Sequence, residues 1–318
     1  DCVALFSMDC REAFPKDVWI RRTAKEVYHM DACALEASFG KEAGFAQQML
    51  FYAARMKQEK IKTQWMQKRR NSSVKRPKMI LFDYGHTLVN ETGIDVLAGH
   101  AAVLSHAVKN PDGVTPQILE DYDQKWRTPM NEIVVGAEYE IPALLYDRAI
   151  YDSLGLEFDC SYEQLEIELW DASIPYVAMP GVGEMLRELK SMGIRTGVIS
   201  NLSFCEASLK KRIYGVIPDA PFEFFIASSS YGFRKPHPSL FAIACRRANL
   251  SPEDMFFCGD NTRADAYGAY CAGMTPIWYA PDIPCFYRPK ELDVAPEFSH
   301  ICIRHWPQLT ELVRGLEE

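Results

Sequence analysis

Asp83 follows the apolar run Met79-Ile80-Leu81-Phe82, Ser200 ends Val198-Ile199, Ser228 follows Phe222 to Ala227, and Asp260 follows Phe256-Phe257-Cys258-Gly259. Asn201, Lys235 and Asp265 stand among them. A carboxylate can attack an electrophilic centre or hold a hard cation through oxygen. An ammonium, a hydroxyl and a backbone N–H can together oppose an oxyanion. These residues act on one molecule only if the fold gathers them.

The elements needed for that are legible. Met79 to Phe82, Ile194 to Ile199, Phe222 to Ala227, Met255 to Cys258 and Thr275 to Tyr279 read as buried parallel strands. Gly183 to Met192, Ser203 to Tyr214, Pro238 to Ala248 and Thr262 to Ala272 read as the helices between them. This alternation predicts an α/β fold, a Rossmann-like doubly wound parallel sheet. In such sheets ligands bind beyond the carboxyl ends of the strands, so Asp83, Ser200, Ser228 and Asp260 should share one edge.

The interval from Ile94 to Ile174 interrupts the alternation and reads as mostly helical. Helices are expected near Val96 to Val108, Pro116 to Arg127, Pro142 to Leu154 and Tyr162 to Asp171. An insertion after the first strand would lie over that edge as a lid. Arg127, Tyr139 and Glu140 are its polar candidates for substrate selection. The expected division is a helical N-terminal extension with a basic linker at 1–77, an α/β core at 78–91 and 177–318, and a helical cap insertion at 92–176.

Four segments in order resemble the signatures of the haloacid-dehalogenase (HAD) superfamily, subfamily I type with a helical cap. Phe82-Asp83-Tyr84-Gly85-His86-Thr87-Leu88 resembles its Asp-x-Asp-x-Thr, and Val198-Ile199-Ser200-Asn201 its apolar strand ending in Ser or Thr. Arg234-Lys235-Pro236 resembles its Lys-Pro, and Gly259-Asp260 with Asp265 its Gly-Asp-x-x-x-x-Asp. The resemblance implies a Mg²⁺-dependent hydrolase of a small phosphorylated metabolite, with Asp83 as nucleophile. It implies Lys235 opposite the phosphate, and Ser200 with the backbone N–H of Asn201 around the phosphoryl oxygens. Asp83, the Gly85 carbonyl, Asp260 and Asp265 would form the metal site, Asp265 either as ligand or as partner of one.

One position departs from that pattern. Gly85 stands where most such phosphatases carry a second Asp that protonates the leaving oxygen. Acid–base help of that kind is worth about 10² to 10⁴ in rate. A good leaving group, or another acid such as His86, Glu91 or a lid residue, would answer the loss. Related C–P bond hydrolysis with a lid lysine is an alternative, for which Lys109 and Lys125 are the available residues. A binding or regulatory scaffold without catalysis is another. Gly259-Asp260 argues against halide removal.

Composition narrows the partners. The 318 residues are 48% hydrophobic and 25% charged, ordinary values for a globular protein. A net charge of -8 argues against general nucleic-acid binding, which needs a basic surface. The ten cysteines form no Cys-x-x-Cys pair, so buried thiols in a reducing cytoplasm are expected. No apolar run reaches the roughly 20 residues of a membrane span, and no signal-peptide core opens the chain. The chain opens on Asp1, which leaves room for a start further upstream. The first 77 residues carry helical patterns with Phe45, Met49, Tyr52 and Met56 on one face, and self-association through these helices is expected. Nine Lys or Arg between Lys57 and Lys78 read as a solvated basic linker.

Overall fold

The computed structural model describes residues 74–136, 138–288 and 294–316. Contacts divide the chain into two compact units, residues 1–73 and 74–318. The expected N-terminal helices, their basic tail as far as residue 73, and self-association through them lie outside the described residues.

The described chain opens with β1 (Met79–Phe82), whose four side chains are fully buried. It doubles back into β2 (Val89–Glu91) and enters the insertion. There it forms α1 (Val96–Ser105), β3 (Ala107–Lys109), α2 (Pro116–Gly136), α3 (Ala143–Ser153), β4 (Glu157–Phe158) and α4 (Tyr162–Ser173). β5 (Tyr176–Ala178) returns antiparallel to β2, so the outgoing and incoming chains form a two-stranded stem. Alternation then resumes with α5 (Val182–Ser191), β6 (Arg195–Ser200), α6 (Glu206–Val216), β7 (Phe222–Ala227), α7 (Pro238–Ala248) and β8 (Met255–Gly259). A short π-helix (Thr262–Tyr267) leads into α8 (Gly268–Ala272), and β9 (Thr275–Tyr279), β10 (Ile301–Ile303) and α9 (Trp306–Gly315) complete the unit.

Six strands form one parallel sheet in the order β10-β9-β8-β1-β6-β7. From β1 the chain proceeds to β6 and β7 on one side, then crosses to β8 on the other. β1 is therefore the switch point, and a crevice opens beyond its carboxyl end. The apolar runs exist because helices cover both faces of the sheet. Ile80 and Phe82 of β1 pack with Val198, Leu209, Phe256 and Leu309 on one face. Met79 and Leu81 pack with Ile199, Leu240, Phe241 and Phe257 on the other.

The insertion has a core of its own, including Val103, Leu119, Ile150, Leu154 and Leu165. It is mostly helical, as expected, but the β2–β5 stem and the β3–β4 pair were not foreseen, nor was β10. Strands of two or three residues carry too little alternation to be read. The buried Arg212 of α6 fastens the stem to the core. It donates to the carbonyls of Trp170 (2.9 Å) and Ile174 (2.8 Å) and to the Tyr84 hydroxyl (2.9 Å). Its guanidinium also lies 3.7 Å from the centre of the Tyr176 ring, in cation–π contact.

Candidate active site

The β1 register sets Phe82 opposite Val198 of β6 and Cys258 of β8. Asp83 is the next residue, and its N–H donates to the Cys258 carbonyl at 2.9 Å. The chains that follow β6 and β8 carry Asn201 and Asp260 to the same edge.

Lys235 links these pieces. Its ammonium donates to Asp83 Oδ1 and Asp265 Oδ1, each at 2.6 Å, and to the Ile199 carbonyl at 2.9 Å. Asn201 holds the Lys235 backbone from both sides: its Oδ1 accepts from the Lys235 N–H at 2.6 Å, and its Nδ2 donates to the Lys235 carbonyl at 2.8 Å. The amide side chain therefore fixes the lysine, a duty the sequence did not reveal. Ser200 ends β6 and is buried beside Ile199.

Asp265 is fixed as firmly. Its second oxygen accepts from the Asn261 N–H at 2.9 Å, while the Asn261 side chain caps the π-helix at Arg263 and Ala264. Asp265 packs directly over Gly259, where an added Cβ would fall 2.3 Å from Asp265 Oδ2. The glycine before Asp260 is thus a requirement of close approach.

Ligand oxygens of Asp83, Asp260 and Asp265, all three buried, lie within 4.8 Å of one another. Among the described residues two cations face them. Lys235 is one, and Arg288, 2.6 Å from Asp260 Oδ2, is the other. Burial raises the Asp83 carboxyl to about 6, against the pull of Lys235 and with a push from Asp265. Burial raises Asp260 as well, and Arg288 opposes it. Burial also works against the Lys235 ammonium, but Asp265 and Asp83 outweigh it and hold the group above its usual value.

Tyr139 and Glu140 of the insertion meet the loop that carries Lys235 and not the site carboxylates. Glu140 accepts from the Ser228 hydroxyl at 2.6 Å and pairs with Arg234, the neighbour of Lys235. Tyr139 bridges to Phe233, with ring centres 5.9 Å apart. Arg127 is held within the lid by Asp123 (2.6 Å) and Asp147 (2.7 Å). Lys109 pairs with Glu157 at the surface, and Lys125 is exposed. Glu91 accepts from the Tyr84 hydroxyl at 3.2 Å and faces Arg212, so it belongs to the stem. His86 is buried with φ of 53°, and a ring nitrogen comes within 4.8 Å of Asp260 and Cys285. Tyr287 and Arg288 went unread because they lie in an aperiodic loop after β9.

A family model described as haloacid dehalogenase-like hydrolase matches residues 77–273, well over half of the chain. The chain belongs to the haloacid dehalogenase-like hydrolases. Among these hydrolases it is 26% identical over 244 residues to a glyceraldehyde 3-phosphate phosphatase of Pyrococcus furiosus, covering 76% of this chain and 94% of that one. It is also 26% identical over 250 residues to the protein of that name in Methanocaldococcus jannaschii, covering 76% of this chain and 99% of the relative. The crystal structure of a HAD phosphatase from Thermococcus onnurineus aligns with a TM-score of 0.46 and 18% identity, over 76% of this chain and 100% of that one. Among the described residues no helix is long and apolar enough to cross a membrane.

Proposed function

We propose that this hydrolase releases phosphate from a small phosphomonoester through an aspartyl-phosphate on Asp83. The observation that carries the reading is Lys235, whose ammonium bridges Asp83 and Asp265 at the switch point of the sheet. The relatives named as glyceraldehyde 3-phosphate phosphatases support a small phosphorylated metabolite as substrate. Lys109 in a surface ion pair and an exposed Lys125 give C–P bond hydrolysis no lid lysine to use.

In this reading an Asp83 oxygen attacks phosphorus, and the bond from phosphorus to the leaving oxygen breaks. Lys235 opposes the charge of the phosphoryl group and keeps Asp83 ionised, while Ser200 and the Asn201 N–H hold phosphoryl oxygens. Water then attacks the aspartyl-phosphate, and phosphate departs. Asp83, Asp260 and Asp265 make a buried hard-oxygen donor set that fits Mg²⁺, with the Gly85 carbonyl as a further donor. When bound, the ion supplies positive charge to the phosphoryl oxygens. Residues 78–91 and 177–318 act as the core. Residues 92–176 act as a lid that selects substrate and excludes water.

The test is turnover of p-nitrophenyl phosphate with Mg²⁺, then of a panel of sugar phosphates, nucleotides and acyl phosphates. Asp83→Asn and chelation with EDTA should each abolish turnover, and added Mg²⁺ should restore the chelated enzyme. Turnover that survives Asp83→Asn sinks the reading.

A further inference from the structure

A side chain at position 85 would meet a phenol. An ideal Cβ on Gly85 falls 2.8 Å from the Tyr287 hydroxyl oxygen and 3.7 Å from the ring carbon that bears it. The space that a carboxylate two residues beyond Asp83 would use is therefore filled from elsewhere, by the loop that follows β9. Tyr287 as a whole is 48% exposed, but its hydroxyl end points inward. Two neighbours flank the ring. The Cys285 thiol lies within 4.8 Å of ligand atoms of Asp260 and His86. Arg288 anchors the other side on Asp260 at 2.6 Å.

We propose that Tyr287 is a catalytic residue that donates a hydrogen bond to the leaving oxygen, from the opposite side of the gap that Gly85 leaves. The proposal rests on the phosphatase reading. A phenol keeps its proton at neutral pH, so Tyr287 is a donor and not a charge. The phenol keeps its own proton through the cycle. In the first step the leaving oxygen takes a proton from solvent water, and in the second the water that attacks the aspartyl-phosphate returns one to solvent, so the sum is ROPO₃²⁻ + H₂O → ROH + HPO₄²⁻. The hydrogen bond eases charge build-up on the oxygen as its bond to phosphorus breaks. Gly85 makes room for the phenol, so its departure from the family pattern becomes part of the device.

The measurement is the leaving-group dependence of kcat/KM over aryl phosphates from p-nitrophenyl to phenyl phosphate, for the full chain and Tyr287→Phe. The ring stays and the donor goes. With phenyl phosphate the rate should fall about 30-fold or more, and with p-nitrophenyl phosphate no more than about 3-fold. An even loss across the series would mean that the loop only packs, and no loss would mean that it is idle; either overturns the proposal. Gly85→Ala presses a methyl on the hydroxyl and should tilt the series the same way, which keeps the test decisive if Tyr287→Phe folds poorly. His86 is the rival donor: a tilt in His86→Gln but not in Tyr287→Phe also overturns it. Failure of the phosphatase reading looks different, since the unaltered chain would then turn over none of the series or would tolerate Asp83→Asn.

Discussion

Lys235 Nζ lies 2.6 Å from Asp83 Oδ1 in a pocket where the lysine is almost completely buried. The pair is what keeps a carboxylate usable in a place that burial would otherwise keep protonated. Lys235→Met leaves Asp83 and Asp265 facing each other with no cation between them. Turnover should fall by about 10³. The fold should lose about 3 kcal/mol in urea, because breaking a buried pair leaves uncompensated charge. Stability unchanged in urea would mean that the pair carries no structural role.

Gly259 sets a second limit. Its absent Cβ would fall 2.3 Å from Asp265 Oδ2 and 2.4 Å from the adjoining carbon. Gly259→Ala should displace Asp265 from Lys235 and Asn261. It should cost about 1 to 3 kcal/mol and cut turnover with p-nitrophenyl phosphate at least about 100-fold. Near-normal turnover would show that Asp265 can shift without consequence.

Asp147 gives the stability of the inserted helices a pH dependence. Burial raises its carboxyl to about 7; Arg127 opposes the rise, and Asp123 and Glu166 add to it. The unfolded chain releases this proton near 3.8 while the folded chain keeps it, so the folded state binds more protons in between. Stability should therefore fall as pH rises from about 4 to about 7, by up to roughly 4 kcal/mol from this group, and level off above. Asp147→Asn should flatten that part of a series of urea midpoints against pH. Equal slopes in both proteins would remove Asp147 as the cause.

Arg212 is buried and donates to Tyr84, Trp170 and Ile174, with Glu91 3.4 Å away. Arg212→Met removes a donor from two carbonyls and a hydroxyl and the cation that faces Glu91. The expected cost is about 3 kcal/mol in chemical unfolding. Arg212→Lys should recover only part, because an ammonium cannot span the same acceptors as a planar fork. Full recovery by lysine would mean that charge alone matters here.

The sequence by itself determined five of the six strands of the sheet and the residues that follow them. β1, β7, α7 and β9 fall where the apolar runs and the helix opening on Pro238 put them, since each pattern is local and several residues long. Asp83, Ser200, Ser228 and Asp260 follow from position relative to those strands, while Asn201, Lys235 and Asp265 follow from the resemblance to the family's motifs. Only the tertiary structure decided what they touch. Asn201 clamping the Lys235 backbone joins residues 34 apart, and Arg212 reaching Tyr84 joins residues 128 apart. Such contacts depend on strand order and register, which no local pattern encodes. Position 85 shows both sides of this. That glycine stands there is written in the chain, but that a tyrosine about two hundred residues later fills its space depends on a loop with no periodicity to read.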